Sequence, residues 1–74
     1  MYGKTVTDYN PETLISKRME LGMSQKGLAD AIGTTYTEVA KWEIGAKGIP
    51  EETFGRLAFM LRCNVEDLMN GGKS

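Results

Sequence analysis

The chain has 74 residues, and nine Lys and Arg against ten Asp and Glu give it a formal net charge of −1, which does not by itself point to a polyanionic partner. One cysteine excludes an intrachain disulfide, and the absence of His removes the commonest general base and metal ligand. We therefore expect a cytoplasmic domain with no membrane-spanning segment, no metal site, no cofactor and no catalytic activity.

The first ten residues are polar, with a short alternating stretch at residues 5–7. We expect a mobile N-terminal arm here, and the alternative is a short strand that pairs with a second subunit. The segment Asn10–Glu12 then supplies an N-cap amide, a proline for the first helical position and a first-turn acid. A first helix is therefore predicted from Pro11 to Gly22, which ends it.

Four more short helices are predicted from caps, apolar spacing and helix-ending residues. Ser24 and Thr35 each cap a segment whose apolar residues lie three or four positions apart, and Gly33 separates the two segments. Pro50 opens a fourth helix, and Asn64 caps a short fifth one. The predicted division of the chain is an N-terminal arm over residues 1–10, a compact all-α domain of five helices over residues 11–71 and a tail over residues 72–74.

The most informative segment is 25–44, which is predicted to form two short helices joined by a tight turn at Gly33. Ala29 is small enough to let the second helix cross the first closely, and Gly33 adopts a positive φ without a Cβ penalty. The apolar residues expected to fill the corner between the helices are Leu28, Ile32, Val39 and Trp42. The polar outer face of the second helix is thereby left free.

Residues that match the sequence pattern of a known protein family extend over most of the chain. They are Arg18, Leu21–Gln25, Leu28, Ala29, Ile32, Gly33, Thr35, Val39, Trp42, Glu43, Gly45, Leu57, Ala58 and Val65–Leu68. With them the chain resembles the Cro/lambda-repressor-like helix-turn-helix family, the XRE-type regulators of bacteria and phages. The resemblance covers roughly residues 11–71 and implies a lambda-repressor-like DNA-binding domain.

The resemblance also implies where DNA is contacted. In this family the second helix of the pair, here at about residues 35–44, lies in the major groove. The base-reading candidates are Tyr36, Thr37, Glu38 and Lys41. The phosphate-contacting candidates are Gln25, Thr35 and Lys47. Among the base readers, Lys41 is suited to donate to guanine O6 and N7, and Glu38 to accept from cytosine N4.

Arg18 and Glu43 match an ion pair that is common in the resembled family. We interpret the pair as a partly buried tie between the first and third helices, and a DNA contact for Arg18 is the alternative. Removing one partner should then be costly, because the other charge stays buried and alone.

Three positions depart from the family pattern. Ile44 stands where relatives often carry a base, Glu38 places a negative charge on the reading face, and Arg62 replaces a frequent turn glycine. With few positive charges the counterion-release contribution is small. We therefore expect weak binding by a monomer and useful affinity only for a homodimer on a two-half-site operator.

Other conspicuous residues are interpreted structurally. Trp42 is expected to anchor the core rather than form a ligand platform, and Cys63 to be a small packed hydrophobe rather than a redox sensor. The adjacent acids at 51–52 complement a helix dipole better than they suit a catalytic carboxylate pair. The residues predicted to form an exposed apolar patch for dimer contact are Phe59, Met60 and Met69.

The sequence therefore predicts a sequence-specific DNA-binding transcriptional regulator, as a repressor or a phage or mobile-element control protein. Its expected partners are double-stranded DNA and a second copy of the chain. The alternative is a protein-interaction module on the same scaffold, including an antitoxin that binds DNA and neutralises a toxin.

Overall fold

A computed structural model describes residues 4–70, which form five helices and a small antiparallel sheet of two strands. In chain order the elements are β1 (Thr5–Val6), α1 (Pro11–Glu20), α2 (Gln25–Ile32), α3 (Tyr36–Glu43), β2 (Ile49–Pro50), α4 (Glu51–Met60) and α5 (Val65–Asn70). The five-helix prediction is confirmed, and the strand pair is an addition to it. The predicted tail lies outside the described residues.

Side-chain caps begin three of the helices where the sequence predicts them. The Asn10 side chain accepts a hydrogen bond from the Glu12 N–H at 2.9 Å, and the Ser24 hydroxyl oxygen accepts one from the Gly27 N–H at 2.9 Å. Thr35 caps α3 in the same way. These caps satisfy N–H groups that have no partner inside the helix, so they fix where each helix starts.

The core lies where α2, α3 and α4 meet. All four residues predicted for the corner between α2 and α3 are buried, and Trp42 is only 2% exposed. Between them, Gly33 has a φ of 79° and ends α2 with its N–H bonded to the Ala29 carbonyl. Each such buried large side chain stabilises the fold by roughly 1.5–3 kcal/mol. This packing leaves one face of α3 outside the core.

The N-terminal segment from residue 4 onwards belongs to the folded domain. Thr5 lies opposite Pro50, and Val6 lies opposite Ile49, in an antiparallel pair within the same chain. The carbonyl of Lys4 also accepts a hydrogen bond from the first N–H of α4 at 2.7 Å. The described part of the predicted arm, residues 4–10, is therefore packed on the domain, and its strand pairs within the chain. Pairing with a second subunit stays a prediction.

The described helices are short. The longest have ten residues, and none in residues 4–70 is long and apolar enough to cross a membrane. Over the same residues, no group of three or more acidic or cysteine side chains is arranged to hold a metal ion.

The turn between α4 and α5 has a residue in a conformation that favours glycine. Arg62 has a φ of 60°, which costs a non-glycine residue roughly 1–2 kcal/mol. Replacing Arg62 with Gly should therefore raise the free energy of unfolding by about 0.5–1 kcal/mol, after the larger chain entropy of glycine is subtracted. Urea denaturation measures this change.

Gly33→Ala is the matched control for Arg62→Gly. It places a Cβ at a φ of 79° and should destabilise the domain by about 0.5–1 kcal/mol, again after the chain entropy of glycine is subtracted. A lower stability for Arg62→Gly would show that the arginine side chain offsets the strain of its backbone.

Candidate nucleic-acid interface

The outer face of α3 is open to solvent while its inner face is buried. Tyr36 is 55% exposed, and Thr37 and Lys41 are also exposed. Val39 and Trp42 on the other side are 1% and 2% exposed. Helical periodicity thus gives α3 a fixed inner face and a polar outer face with hydroxyl and ammonium groups.

Glu38, the fourth base-reading candidate, is joined to the loop that follows α3. The Lys47 ammonium lies 2.7 Å from one oxygen of the Glu38 carboxylate and donates to the other at 2.8 Å. The Lys47 side chain is 45% exposed and that of Glu38 28%. The structure therefore brings a predicted base reader and a predicted phosphate contact together as an ion pair, which sequence reasoning missed.

A buried cluster ties α3 to the first two helices. Arg18 Nε lies 2.7 Å from Oε2 of Glu43, and Arg18 Nη2 donates to Oε1 at 3.1 Å. Arg18 also donates to the Met23 carbonyl at 2.9 Å. The Glu43 side chain is 4% exposed and that of Arg18 is 14% exposed, so the two form a bidentate ion pair that is largely shielded from solvent. Arg18 is directed into the domain.

The other two phosphate candidates lie at the N-terminal ends of α2 and α3. The half-buried Gln25 donates from its side-chain amide to Glu43 at 2.8 Å, which adds it to the cluster with Arg18. The exposed Thr35 hydroxyl oxygen accepts from the Glu38 N–H at 3.2 Å. Each group keeps a further proton to donate, because an amide nitrogen carries two and the hydroxyl oxygen acts only as acceptor in the cap.

The C-terminal end of α3 is held by Tyr9 from the N-terminal segment. The Tyr9 hydroxyl lies 2.9 Å from the Trp42 carbonyl oxygen and 2.7 Å from that of Lys47, and it shares its single proton between them. The centroid of its ring lies 6.4 Å from that of the Phe54 ring. Burial raises the pKa of the Tyr9 phenol. Tyr9 thus fixes both the end of α3 and the loop that carries Lys47.

Several apolar side chains remain on the surface. Ile44, directly after α3, is 76% exposed, and Phe59 is 80% exposed. Met69 is 37% exposed, whereas Met60 packs partly against the core. The dimer role of Phe59, Met60 and Met69 stays a prediction.

Cys63 packs partly against the core beside the turn into α5. Burial raises the pKa of its thiol, and the charge of Asp67 adds to this effect while that of Lys17 opposes it. A raised pKa disfavours the thiolate, which is the reactive form. This environment suits a packed hydrophobe better than a redox sensor.

The comparison with protein families matches this chain to a helix-turn-helix family model over residues 14–68. The match spans α2, α3 and α4 and includes most of α1 and α5. A comparison with curated proteins found no match.

Solved structures with the same fold include three regulators. The P22 c2 repressor, in complex with a synthetic operator, is 23% identical with a TM-score of 0.79, and the match covers 82% of this chain and 92% of that one. The restriction-modification controller C.AhdI from Aeromonas hydrophila is 26% identical with a TM-score of 0.73 over 78% and 84%. The clp gene regulator ClgR from Corynebacterium glutamicum is 24% identical with a TM-score of 0.74 over 80% and 63%, so this chain spans less than two thirds of that protein.

The fold is also found within an enzyme. The hydroxypropylphosphonic acid epoxidase from S. wedmorenis is 30% identical with a TM-score of 0.75, and the match covers 88% of this chain but only 35% of the epoxidase chain.

Proposed function

The chain belongs to the helix-turn-helix family of DNA-binding transcriptional regulators, and we propose that it binds a specific operator with α3 in the major groove. The observation that carries the proposal is the exposed outer face of α3, with Tyr36, Thr37 and Lys41, on a helix whose other face is buried. Side chains on a rigid helix reach base edges with little entropy cost. The P22 c2 repressor, which shares the fold, has been solved in complex with a synthetic operator.

The rigidity of α3 supports specific readout. The pair between Arg18 and Glu43 connects it to α1, the Gln25 amide connects it to α2, and the Tyr9 hydroxyl holds its final turn. A reading helix held by these contacts at its C-terminal end, with Val39 and Trp42 buried on its inner face, presents its side chains in one register, and base discrimination depends on that register.

We propose that the operator is bound by a homodimer. The chain has nearly equal numbers of acidic and basic residues, so one copy gains little from counterion release. Two copies place two α3 helices about 34 Å apart on two half-sites and combine their contacts. The exposed side chains of Phe59 and Met69 are the proposed apolar part of the dimer contact.

Gln25 and Thr35 are proposed to contact phosphates of the DNA backbone. Both residues lie at helix N-termini, where free N–H groups favour a phosphate. Their remaining donor protons supplement those N–H groups. The proposal includes no catalytic role, because the family match is to a helix-turn-helix model and the match to the epoxidase covers only 35% of that chain.

Replacing Lys41 with Ala should weaken operator binding by about 1–3 kcal/mol and relax the base preference at one position, because a donor to guanine is lost. Fluorescence anisotropy with the operator and its single-base variants measures both effects. Lys4→Ala is the control, since it removes the same charge from an exposed residue beside β1. Unchanged affinity in a variant that lacks both Lys41 and Thr37 side chains would contradict the placement of α3 in the groove.

A protein-interaction role on the same scaffold, including that of an antitoxin, is the second candidate. It is favoured by Ile44, which leaves a large apolar side chain 76% exposed at the end of α3. In that case Ile44→Lys should abolish capture of the protein partner, whereas in the DNA-binding role it should strengthen operator binding by adding a charge near the phosphates.

A further inference from the structure

The ion pair between Glu38 and Lys47 has no evident role in building the fold. Thr35 and Glu38 have the spacing of a capping box, in which the glutamate would reach back to the backbone N–H of Thr35. Over residues 4–70 the Glu38 carboxylate makes no such bond and instead contacts the Lys47 ammonium with both oxygens, at 2.7 and 2.8 Å. Both side chains are partly exposed, and exposed pairs stabilise a fold only weakly.

The Glu38–Lys47 pair determines which charges the outer face of α3 presents to DNA. While Lys47 contacts Glu38, its charge is neutralised and withheld from phosphates. A phosphate that draws Lys47 away leaves the Glu38 carboxylate beside the polyanion without a partner, which is unfavourable. Non-specific DNA, which offers mainly phosphates, therefore gains little from Lys47.

A base that carries an amino group in the major groove makes the release of Lys47 favourable. The amino groups of cytosine N4 and adenine N6 donate hydrogen bonds in the major groove, and a carboxylate can only accept. Such a base can take the place of Lys47 at Glu38, which frees the ammonium for a phosphate. Two contacts then form, one between Glu38 and the base and one between Lys47 and a phosphate, and they replace the single ion pair that is lost.

We propose that the Glu38–Lys47 pair is a specificity device, in which Lys47 is withheld from non-specific DNA and released to a phosphate when an amino-bearing base binds Glu38. This inference rests on the proposed function and assigns the pair a role in it. Glu38 is the specificity-determining residue, and Lys47 acts partly through it.

The test compares E38Q with wild type on a duplex of random sequence, by fluorescence anisotropy between about 50 and 200 mM salt. The glutamine keeps the size of the side chain and removes its charge, so Lys47 becomes available to phosphates. The slope of log K against log salt should steepen by about 0.9 per protomer, and binding should tighten roughly eightfold per protomer at about 0.1 M salt. Preference for the operator over the random duplex should fall by at least the same factor.

E52Q is the matched control. Glu52 is 83% exposed on α4 and pairs with Arg56 at 3.7 Å, so this variant makes the same charge change at an ion pair away from α3. It should leave the slope near that of wild type. Adding K47Q to E38Q should return the slope to the wild-type value, and K47Q alone should leave the slope on random DNA unchanged. Thermal denaturation checks that every variant is folded.

Three results would overturn the inference. In the first, E38Q and E52Q have the same slope. In the second, the E38Q/K47Q variant keeps the steeper slope, so that Lys47 is not its source. In the third, K47Q alone lowers the slope on random DNA, so that Lys47 already contacts phosphates there. If wild type selects an operator and any of these occurs, only the inference fails; if neither wild type nor E38Q binds any duplex, the proposed function fails with it.

Discussion

Replacing Arg18 with Met should lower the free energy of unfolding by about 3–5 kcal/mol, because it leaves the Glu43 carboxylate buried without its charged partner. The Glu43 side chain is 4% exposed, and after the substitution the Gln25 amide is the one donor to it that remains within residues 4–70. Methionine keeps most of the length of the arginine stem, so the loss reflects the charge rather than a cavity. Urea denaturation measures the change.

Two further variants make the Arg18 result decisive. The double variant Arg18→Met/Glu43→Leu should recover much of the loss, because no lone charge then remains buried. Lys26→Met is the control, since it breaks an exposed pair with Asp30 at 3.5 Å and should cost less than about 1 kcal/mol. If Arg18→Met cost no more than Lys26→Met, the pair between α1 and α3 would not be a structural tie.

Replacing Tyr9 with Ala should destabilise the domain by about 3–5 kcal/mol, the range for removing a large buried aromatic side chain. Tyr9 is 8% exposed, and its loss leaves a cavity beside Phe54. Within residues 4–70 it also removes the only side-chain donor to the carbonyls of Trp42 and Lys47. Tyr9→Phe keeps the ring and should cost about 1–2 kcal/mol for the lost hydrogen bond. Urea denaturation of both variants separates packing from hydrogen bonding.

Tyr36→Ala provides the matched control for Tyr9. It makes the same chemical change at a side chain that is 55% exposed and should alter stability by no more than about 0.5 kcal/mol. Equal losses for the two variants would mean that the N-terminal segment is not anchored to the end of α3.

Local rules account for most of the predicted fold. Ser24 and Thr35 act as side-chain caps, and Gly33 ends α2 in the left-handed conformation. These features depend on residues within one turn of each other, so a single sequence contains the information. The buried corner between α2 and α3 was predictable for the same reason, since helical spacing places its residues on facing sides.

The strand pair was not predictable in this way. β1 and β2 have two residues each and are separated by three helices, so no local pattern joins them. Gly48 is part of the reason that they fit, since a Cβ there would overlap the methyl group of Thr5. Interpreting residues 1–10 as an arm followed from their polarity, and the burial of Tyr9 depends on contacts that form only in the folded chain.

The candidate interface also has features that the sequence predicted and features that it did not. That Tyr36, Thr37 and Lys41 lie on the outer face of α3 followed from periodicity and from the family resemblance. The partners of Glu38 and Gln25 did not, because they depend on the path of the loop after α3 and on the crossing of α2 over Glu43. Which acid meets which base is a property of tertiary geometry.

The central claim is that this chain recognises a specific operator through α3. Its most direct test is selection of bound duplexes from a random DNA pool, followed by measurement of affinity against salt. We expect enrichment of a motif with two-fold symmetry, whose log K falls as salt rises. No enrichment even at low salt would contradict the claim and favour the protein-interaction role.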